Sequence, residues 1–536
     1  MIIYIKGGCF MEWKNIDELN SYKLLIDQKT KVNIKEILNS DTGVDRVKKY
    51  QSDMSCGLKY VYAAKEVDDN IIDLLSNLAK ENNSVGKYKL LLNGEFINTG
   101  ENRRVLHHLC RGQLRSDVVD NNINMREFYK NELDKIKDFS EKIRSGSITN
   151  EKNEKYTTVV QIGIGGSDLG PRAMYIALEN YGKRTNKLKL DAKFISNVDP
   201  DDALCILSNI DISKTIFVLV SKSGTTLETL TNEAIVKEKI IKNNLQVNKH
   251  MVAVTSKTSP IANSSEYMEA FFIDDYIGGR YSSTSAVGGV VLSIALGFDV
   301  FEEFLDGAHS EDKNSLNEDI RKNPALLDAL IGVYERNILG YEITAVLPYS
   351  NALSRFPAHL QQVDMESNGK SVNRFGDKIN YKTGPIIFGE PGTNGQHSFY
   401  QLLHQGKTIV PIQFIGFKKN QFDEDVEIKG SSSQTKLCAN LVSQVVAFAL
   451  GSENKDNNKN FDGNRPSSLI VGEELNPKSL GALLSHFENK IMFQGFLWNI
   501  NSFDQEGVQL GKVLAKKVLE KQSSGILEEY AKLFNI

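Results

Sequence analysis

Residues 157–171 read TTVVQIGIGGSDLGP and residues 215–229 read TIFVLVSKSGTTLET. Each opens as an apolar run of strand length, passes through a Gly- or hydroxyl-rich stretch and leads into an amphipathic helical pattern. An unbroken apolar run suits a strand covered on both faces, and a strand feeding a helix is half of a βαβ unit. The same signal predicts strands at Lys193–Val198, Met251–Thr255, Glu342–Leu347 (EITAVL) and Thr408–Ile415 (TIVPIQFI), with helices around 326–339 and 434–450. This alternation predicts an α/β protein with two parallel sheets, each sandwiched by helices.

The chain has 536 residues, 40% hydrophobic and 25% charged, which is ordinary globular composition with room for several folding units. Residues 11–125 read as mainly helical, with a hairpin expected around Asn93-Gly94 in KLLLNGEFINT. Asn454–Arg465, polar and rich in Asn, Asp and Gly, reads as a surface loop. A net charge of −4 makes nucleic acid a poor partner. The five cysteines are scattered and form no CxxC pair, which suits reduced thiols in the cytoplasm. No run of 18 apolar residues reads as a membrane span, and Met11 is an alternative start to Met1.

Gly163, Gly165, Gly166 and Ser167 follow the first strand, and Pro171 fits the first turn of the next helix. Glycines let backbone N–H groups face an anion at a helix N-terminus. A dinucleotide fingerprint beginning at Gly163 requires Gly at 168, where Asp168 stands; a tight turn without ligand is the plainer alternative. Ser221, Ser223, Thr225, Thr226 and Thr229 then crowd hydroxyls around Lys222 just before a helix. Such a loop can hold the terminal oxygens of a phosphate monoester, although Ser and Thr also serve as simple N-caps. Gly369-Lys370-Ser371 and Gly406-Lys407-Thr408 lack the upstream Gly of a P-loop, since Asp364 and Gln401 occupy those positions.

Glu366 lies between an apolar stretch and a polar SNGK turn, a border where partial desolvation suits a carboxylate to work as a general base. His397 sits in the Gly-rich loop GEPGTNGQHSF, and Arg280 follows Gly278-Gly279, where a guanidinium can reach an oxyanion. Lys512 lies in a terminal helical pattern. Taken singly, each has an ordinary surface or structural reading. The eight histidines show no zinc spacing, so no metal and no cofactor are expected.

Together these segments resemble the glucose-6-phosphate isomerase family. IGIGGSDLGP (162–171), SKSGTTLET (221–229), GGRYSSTSAVG (278–288), LQQVDMESNGKSV (360–372), GEPGTNGQHSFYQLLHQG (389–406) and GVQLGKVLAKK (507–517) occur in that family's order. NTGENRRVL (98–106) resembles an N-terminal segment of it. The resemblance implies two flavodoxin-like sugar-isomerase (SIS) domains, each around a five-stranded parallel sheet. The expected parts are a mainly helical segment at 1–125, a small domain at 126–300, a large one at 301–495 and a C-terminal helical arm at 496–536. It implies a homodimer with a shared active site, acting on a sugar phosphate. Gly166, Ser167, Ser221, Lys222, Ser223, Thr226 and Thr229 would hold the phosphate, and Gln362 and Gln505 would line the site. Glu366 would move a proton between C2 and C1 through a cis-enediol, and Arg280 would stabilise its negative charge. His397, from the neighbouring subunit, and Lys512 would open the ring.

Two departures from the family pattern stand out. Ser223-Gly224 replaces a Thr–aromatic pair, which predicts a more flexible loop, and Ser283-Thr284 replaces a bulkier pair, which predicts altered packing beside Arg280. A silent sugar-phosphate-binding module has no use for Glu366, Arg280, His397 and Lys512 together. An amino-sugar isomerase would need an ammonia-producing domain, and no N-terminal Cys nucleophile marks one.

Overall fold

The computed structural model describes residues 2–4, 10–28 and 31–536. The stretch ahead of Met11, with Cys9 in it, falls largely outside them. The first strands that matter to the architecture are β1 (Gln51–Asp53) and β2 (Lys59–Val61), followed by helices α1 (Asp69–Asn82) and α2 (Ser84–Leu92). The hairpin expected around Asn93-Gly94 is absent. Leu90, Leu91 and Leu92 are buried in the last turn of α2, and Gly94 takes a positive φ of 76°. Gly94 N–H donates to the Leu91 carbonyl and Glu95 N–H to that of Leu90. An Asn-Gly pair closes a helix as readily as it turns a hairpin, because both ends need a left-handed residue.

Helix α3 (Met125–Ser145) leads into the first sheet. Asn124 caps its first turn by accepting from the N–H groups of Arg126 and Glu127, and Gly146 ends it at φ 84°. Its buried face, Tyr129, Leu133, Ile136, Ser140 and Ile143, has the helical spacing of a one-sided stripe. The sheet comprises β3 (Thr158–Ile162), β4 (Asp191–Ile195), β5 (Thr215–Val220), β6 (Met251–Ser256) and β7 (Glu269–Ile273). The order is β7-β6-β5-β3-β4, parallel throughout. Helices α4 (Leu169–Arg184), α5 (Leu227–Lys242) and α6 (Ala286–Leu296) belong to the same unit. Every residue of β3, β5 and α6 is buried, which is why their sequences are apolar without alternation.

The second unit contains α7 (Phe298–Asn314), α8 (Pro324–Asn337), β8 (Ile343–Tyr349), α9 (Phe356–Gln361), β9 (Ile386–Phe388), β10 (Ile412–Phe417), α10 (Ser433–Leu450), β11 (Ser467–Gly472) and α11 (Pro477–Leu497). Its sheet has six strands in the order β9-β8-β10-β11-β2-β1. The first four are parallel, while β2 joins β11 antiparallel and β1 joins β2 antiparallel. The second sheet is therefore mixed where five parallel strands were expected, because the N-terminal segment supplies its last two strands. The polar loop 454–465 connects α10 to β11 at the surface, as read from the sequence. Beyond the sheet come α12 (Gln509–Leu519) and α13 (Ile526–Lys532).

Helix α11 is the centre of the large core, buried from Ser479 through Leu497. It crosses α7 at a pair of glycines: a Cβ at Gly481 would overlap the Phe304 carbonyl, and one at Gly307 the Lys478 carbonyl. Backbone occupies both sides of this crossing, so no side chain can swing away. Gly481→Ala is expected to destabilise the fold by about 1–3 kcal/mol through overpacking, measured as a lower urea midpoint with an unchanged slope.

Candidate active site

The loops at the C-terminal ends of parallel strands are where α/β sheets bind ligands. β3 and β5 are neighbours, paired through Ile162 and Leu219, so the loops 163–168 and 221–226 emerge side by side. Gly165 adopts φ +61°, open to glycine at little cost. At Gly166 a Cβ would overlap the Gly279 carbonyl and lie 2.8 Å from the Arg280 nitrogen, so the first loop packs directly on the segment that carries Arg280. The Gln161 amide holds the Ser167 carbonyl at 2.7 Å. Asp168, which broke the dinucleotide fingerprint, is buried and pairs with Arg172 at 2.8 Å in the first turn of α4. Burial pushes its carboxyl above the usual carboxylate range, partly offset by Arg172.

In the second loop Gly224 N–H donates to Ser221 Oγ at 3.2 Å, and Thr225 Oγ donates to Ser223 Oγ at 2.9 Å. Thr226 is the N-cap of α5 and its side chain does not cap it, so the first-turn N–H groups are not taken up by that hydroxyl. Thr229 is buried beneath the loop, and Ser223 is exposed. Lys222 donates to the Ile277 carbonyl at 3.3 Å and lies 3.7 Å from Asp275. Burial pulls its ammonium below the ordinary lysine value, with Asp275 acting in the opposite sense.

Glu366 arises from the second sheet. After β8 the chain forms α9 and then a π-helical turn, Gln362–Glu366. Single π-turns are frequent at functional sites, where the extra residue re-aims a side chain. Glu366 Oε2 is buried without a hydrogen bond among the described residues and lies 3.5 Å from Arg280 Nη1. Gln362 Oε1 is likewise buried and unpartnered. Glu366, Gln362 and Gln505 line one cavity of 750 Å³. Thr99 and Gly100, from the N-terminal NTGENRRVL segment, line it as well.

The remaining candidates are not brought into this cavity. Gly166, Ser167, Ser221, Lys222, Ser223, Thr226 and Thr229 stand at the neighbouring strand ends. His397 ends a short helical turn, Asn394–His397, and is exposed; Lys512 is exposed on α12. Lys370 and Arg374, in the turn set aside as a false P-loop, do line the cavity. Lys370 lies in the SNGK turn, read for its polarity beside Glu366 and for its Gly spacing but not as lining, and Arg374 four residues on is not singled out. Of the two residues replacing a bulkier pair beside Arg280, Thr284 accepts from Arg111 Nε at 3.2 Å and Ser283 packs against Gly170.

Two parallel-sheet units, with a carboxylate from one 3.5 Å from a guanidinium of the other, define an α/β enzyme class suited to acid–base chemistry on a small anion. The chain matches the phosphoglucose isomerase family model over residues 61–531 and belongs to that family. The glucose-6-phosphate isomerase of Treponema denticola is 60% identical over 525 residues, 97% of this chain and 99% of that protein. The enzyme of the same name from Borreliella burgdorferi is 48% identical over 528 residues, covering 97% of this chain and 99% of that one. The crystal structure of a glucose-6-phosphate isomerase from Chlamydia trachomatis superposes with a TM-score of 0.91 at 42% identity, over 97% of this chain and 99% of that one.

Proposed function

We propose that the chain interconverts glucose 6-phosphate and fructose 6-phosphate by ring opening and proton transfer through a cis-enediol, in glycolysis and gluconeogenesis. The observation that carries this reading is the 3.5 Å approach of Arg280 Nη1 to Oε2 of Glu366, a residue that lines the cavity, in a chain of this family. Removing a proton alpha to a carbonyl needs a positioned base and a fixed positive charge for the oxyanion that develops. Glu366 takes the C2 proton of the open-chain aldose while O1 gains one. The resulting enediol, steadied by Arg280, accepts the carried proton at C1 and loses one from O2. The hydroxyl and amide groups of the loops around Ser167 and Ser221 hold the phosphate, with Lys222 beside them. Gln362 and Gln505 position the carbon chain.

The site is shared in a cytoplasmic homodimer. Supporting this, His397 is exposed, and the arm leaves Leu510, Ile526, Leu533 and Phe534 exposed, apolar side chains that a second subunit could cover. His397 and Lys512 then act in opening the sugar ring. His397→Ala is expected to lower turnover of ring-closed substrate by about 10²-fold or more, with a smaller loss for substrate supplied in open form, measured by stopped-flow on each. An undiminished rate with ring-closed substrate would remove His397 from that role.

The overall reading is tested by incubating the protein with fructose 6-phosphate in D₂O and following deuterium at C2 of the product. Turnover with label at C2 is expected. Neither turnover nor label would identify a binding module, and turnover that never labels C2 and survives Glu366→Gln would replace proton transfer by a hydride shift.

A further inference from the structure

The five N–H donors of a guanidinium permit a complete accounting at Arg280. Its Nε donates to Ser367 Oγ at 2.7 Å, and its Nη2 donates to the carbonyls of Ser502 at 2.6 Å and Asp504 at 2.9 Å. Nη1 makes no hydrogen bond among the described residues and faces Glu366 at 3.5 Å. The fork is therefore fixed by three hydrogen bonds and presents one nitrogen to Glu366, which lines the cavity. Two of its fixings are backbone carbonyls; the third is the hydroxyl of Ser367, the residue next to Glu366 in the chain.

Ser367 is fully buried, and its Oγ also pairs with Tyr281 Oη at 2.9 Å. The Tyr281 ring is held in turn by His107, stacked at 5.0 Å, and by Phe503 at 5.4 Å. Ser367 thus links the base and the cation through a single peptide unit, and Tyr281 keeps its hydroxyl in place.

We propose that Ser367 is a positioning residue that sets the free nitrogen of Arg280 against the oxyanion formed by Glu366. The inference rests on the roles given to those two residues above. Without the Ser367 hydroxyl, Arg280 Nε is left buried with no acceptor, so the planar group tilts to find one and Nη1 moves away from the reacting oxygens. A displacement of this order costs up to about 10²-fold in rate. Phosphate binding, made by other loops, is left alone.

The test is a double-mutant cycle on the full-length protein with fructose 6-phosphate. Ser367→Ala is expected to lower kcat by about 10- to 100-fold with KM changed less than about 3-fold. In an Arg280→Ala background it should cost nothing more, because its effect passes through the guanidinium. Tyr281→Phe should show the same non-additivity with a smaller loss, and it serves if Ser367→Ala fails to fold. An Arg280→Ala variant that is slow, yet loses further activity in full on adding Ser367→Ala, would overturn this inference alone. An Arg280→Ala variant with wild-type kcat would overturn the role of Arg280 and this inference with it.

Discussion

Glu366→Gln is expected to lower isomerase turnover by about 10²- to 10⁴-fold, the usual worth of a positioned general base, while the protein still folds and still binds fructose 6-phosphate. The amide keeps the shape of the carboxylate but cannot accept a carbon-bound proton. Folding should survive because Glu366 is not a structural ion: its side chain is 19% exposed and, among the described residues, its Oε2 makes no hydrogen bond and its one cation is Arg280 at 3.5 Å. Arg280 keeps its bonds to Ser367, Ser502 and Asp504 in the variant. Binding should survive because the hydroxyl loops belong to the other sheet. Turnover, deuterium exchange at C2 and calorimetric binding separate the three properties. Unchanged turnover in the variant would refute the base, and loss of binding along with turnover would move Glu366 into the phosphate site.

What could be read in the sequence follows from how each element is covered. β3, β5 and β6 lie at the centre of a sheet with helices on both faces, so TVVQI, TIFVLV and MVAVTS carry their burial openly. β1 and β2 did not announce themselves: QSD and KYV are three residues each and partly polar, β2 held by pairing with β11 far along the chain and β1 by pairing with β2. β9, also three residues long, escaped for the same reason. Helix α11 shows the opposite difficulty. It is buried on all sides yet contains His486, Glu488 and Lys490, which look like surface residues in one dimension. In three dimensions Lys490 and His486 each meet Asp328 at 3.1 Å, and Glu488 pairs with Arg111.

The site divides along the same line. Local signals, such as glycines before a helix or a cluster of hydroxyls after a strand, marked the loops at 163–168 and 221–229 correctly as strand-end loops. The pairing of Arg280 with Glu366 spans two sheets, and no local pattern specifies it. The π-turn that aims Glu366 is equally silent, since QVDME differs in no obvious way from an ordinary helical turn. Ser367 was passed over because its importance lies in the atom it touches.

Subunit mixing gives the other large expected effect. If His397 completes the cavity of its partner, inactive Glu366→Gln and His397→Ala proteins should regain activity when unfolded together and refolded as mixed dimers. A two-fold interface is isologous, so each site takes Glu366 from one subunit and His397 from the other. In a mixed dimer one site then receives both intact residues and the other receives both substitutions. Random pairing makes half the dimers mixed, each with half its sites whole, so recovery should approach about a quarter of wild-type activity. His397 is exposed and does not line the cavity that holds Glu366, which is compatible with its serving the site of a second subunit. Gln505 and Val508 do line that cavity, and Lys512 follows on the helix that starts beside them. A lysine reaching the site from its own chain predicts no recovery when Glu366→Gln and Lys512→Ala subunits are mixed, since each site built on one chain's Glu366 and Lys512 keeps one of the two defects. Recovery with His397 and none with Lys512 would therefore assign each group to its chain. Failure with His397, once mixed dimers are verified by mass spectrometry, would mean that every site draws its residues from a single subunit.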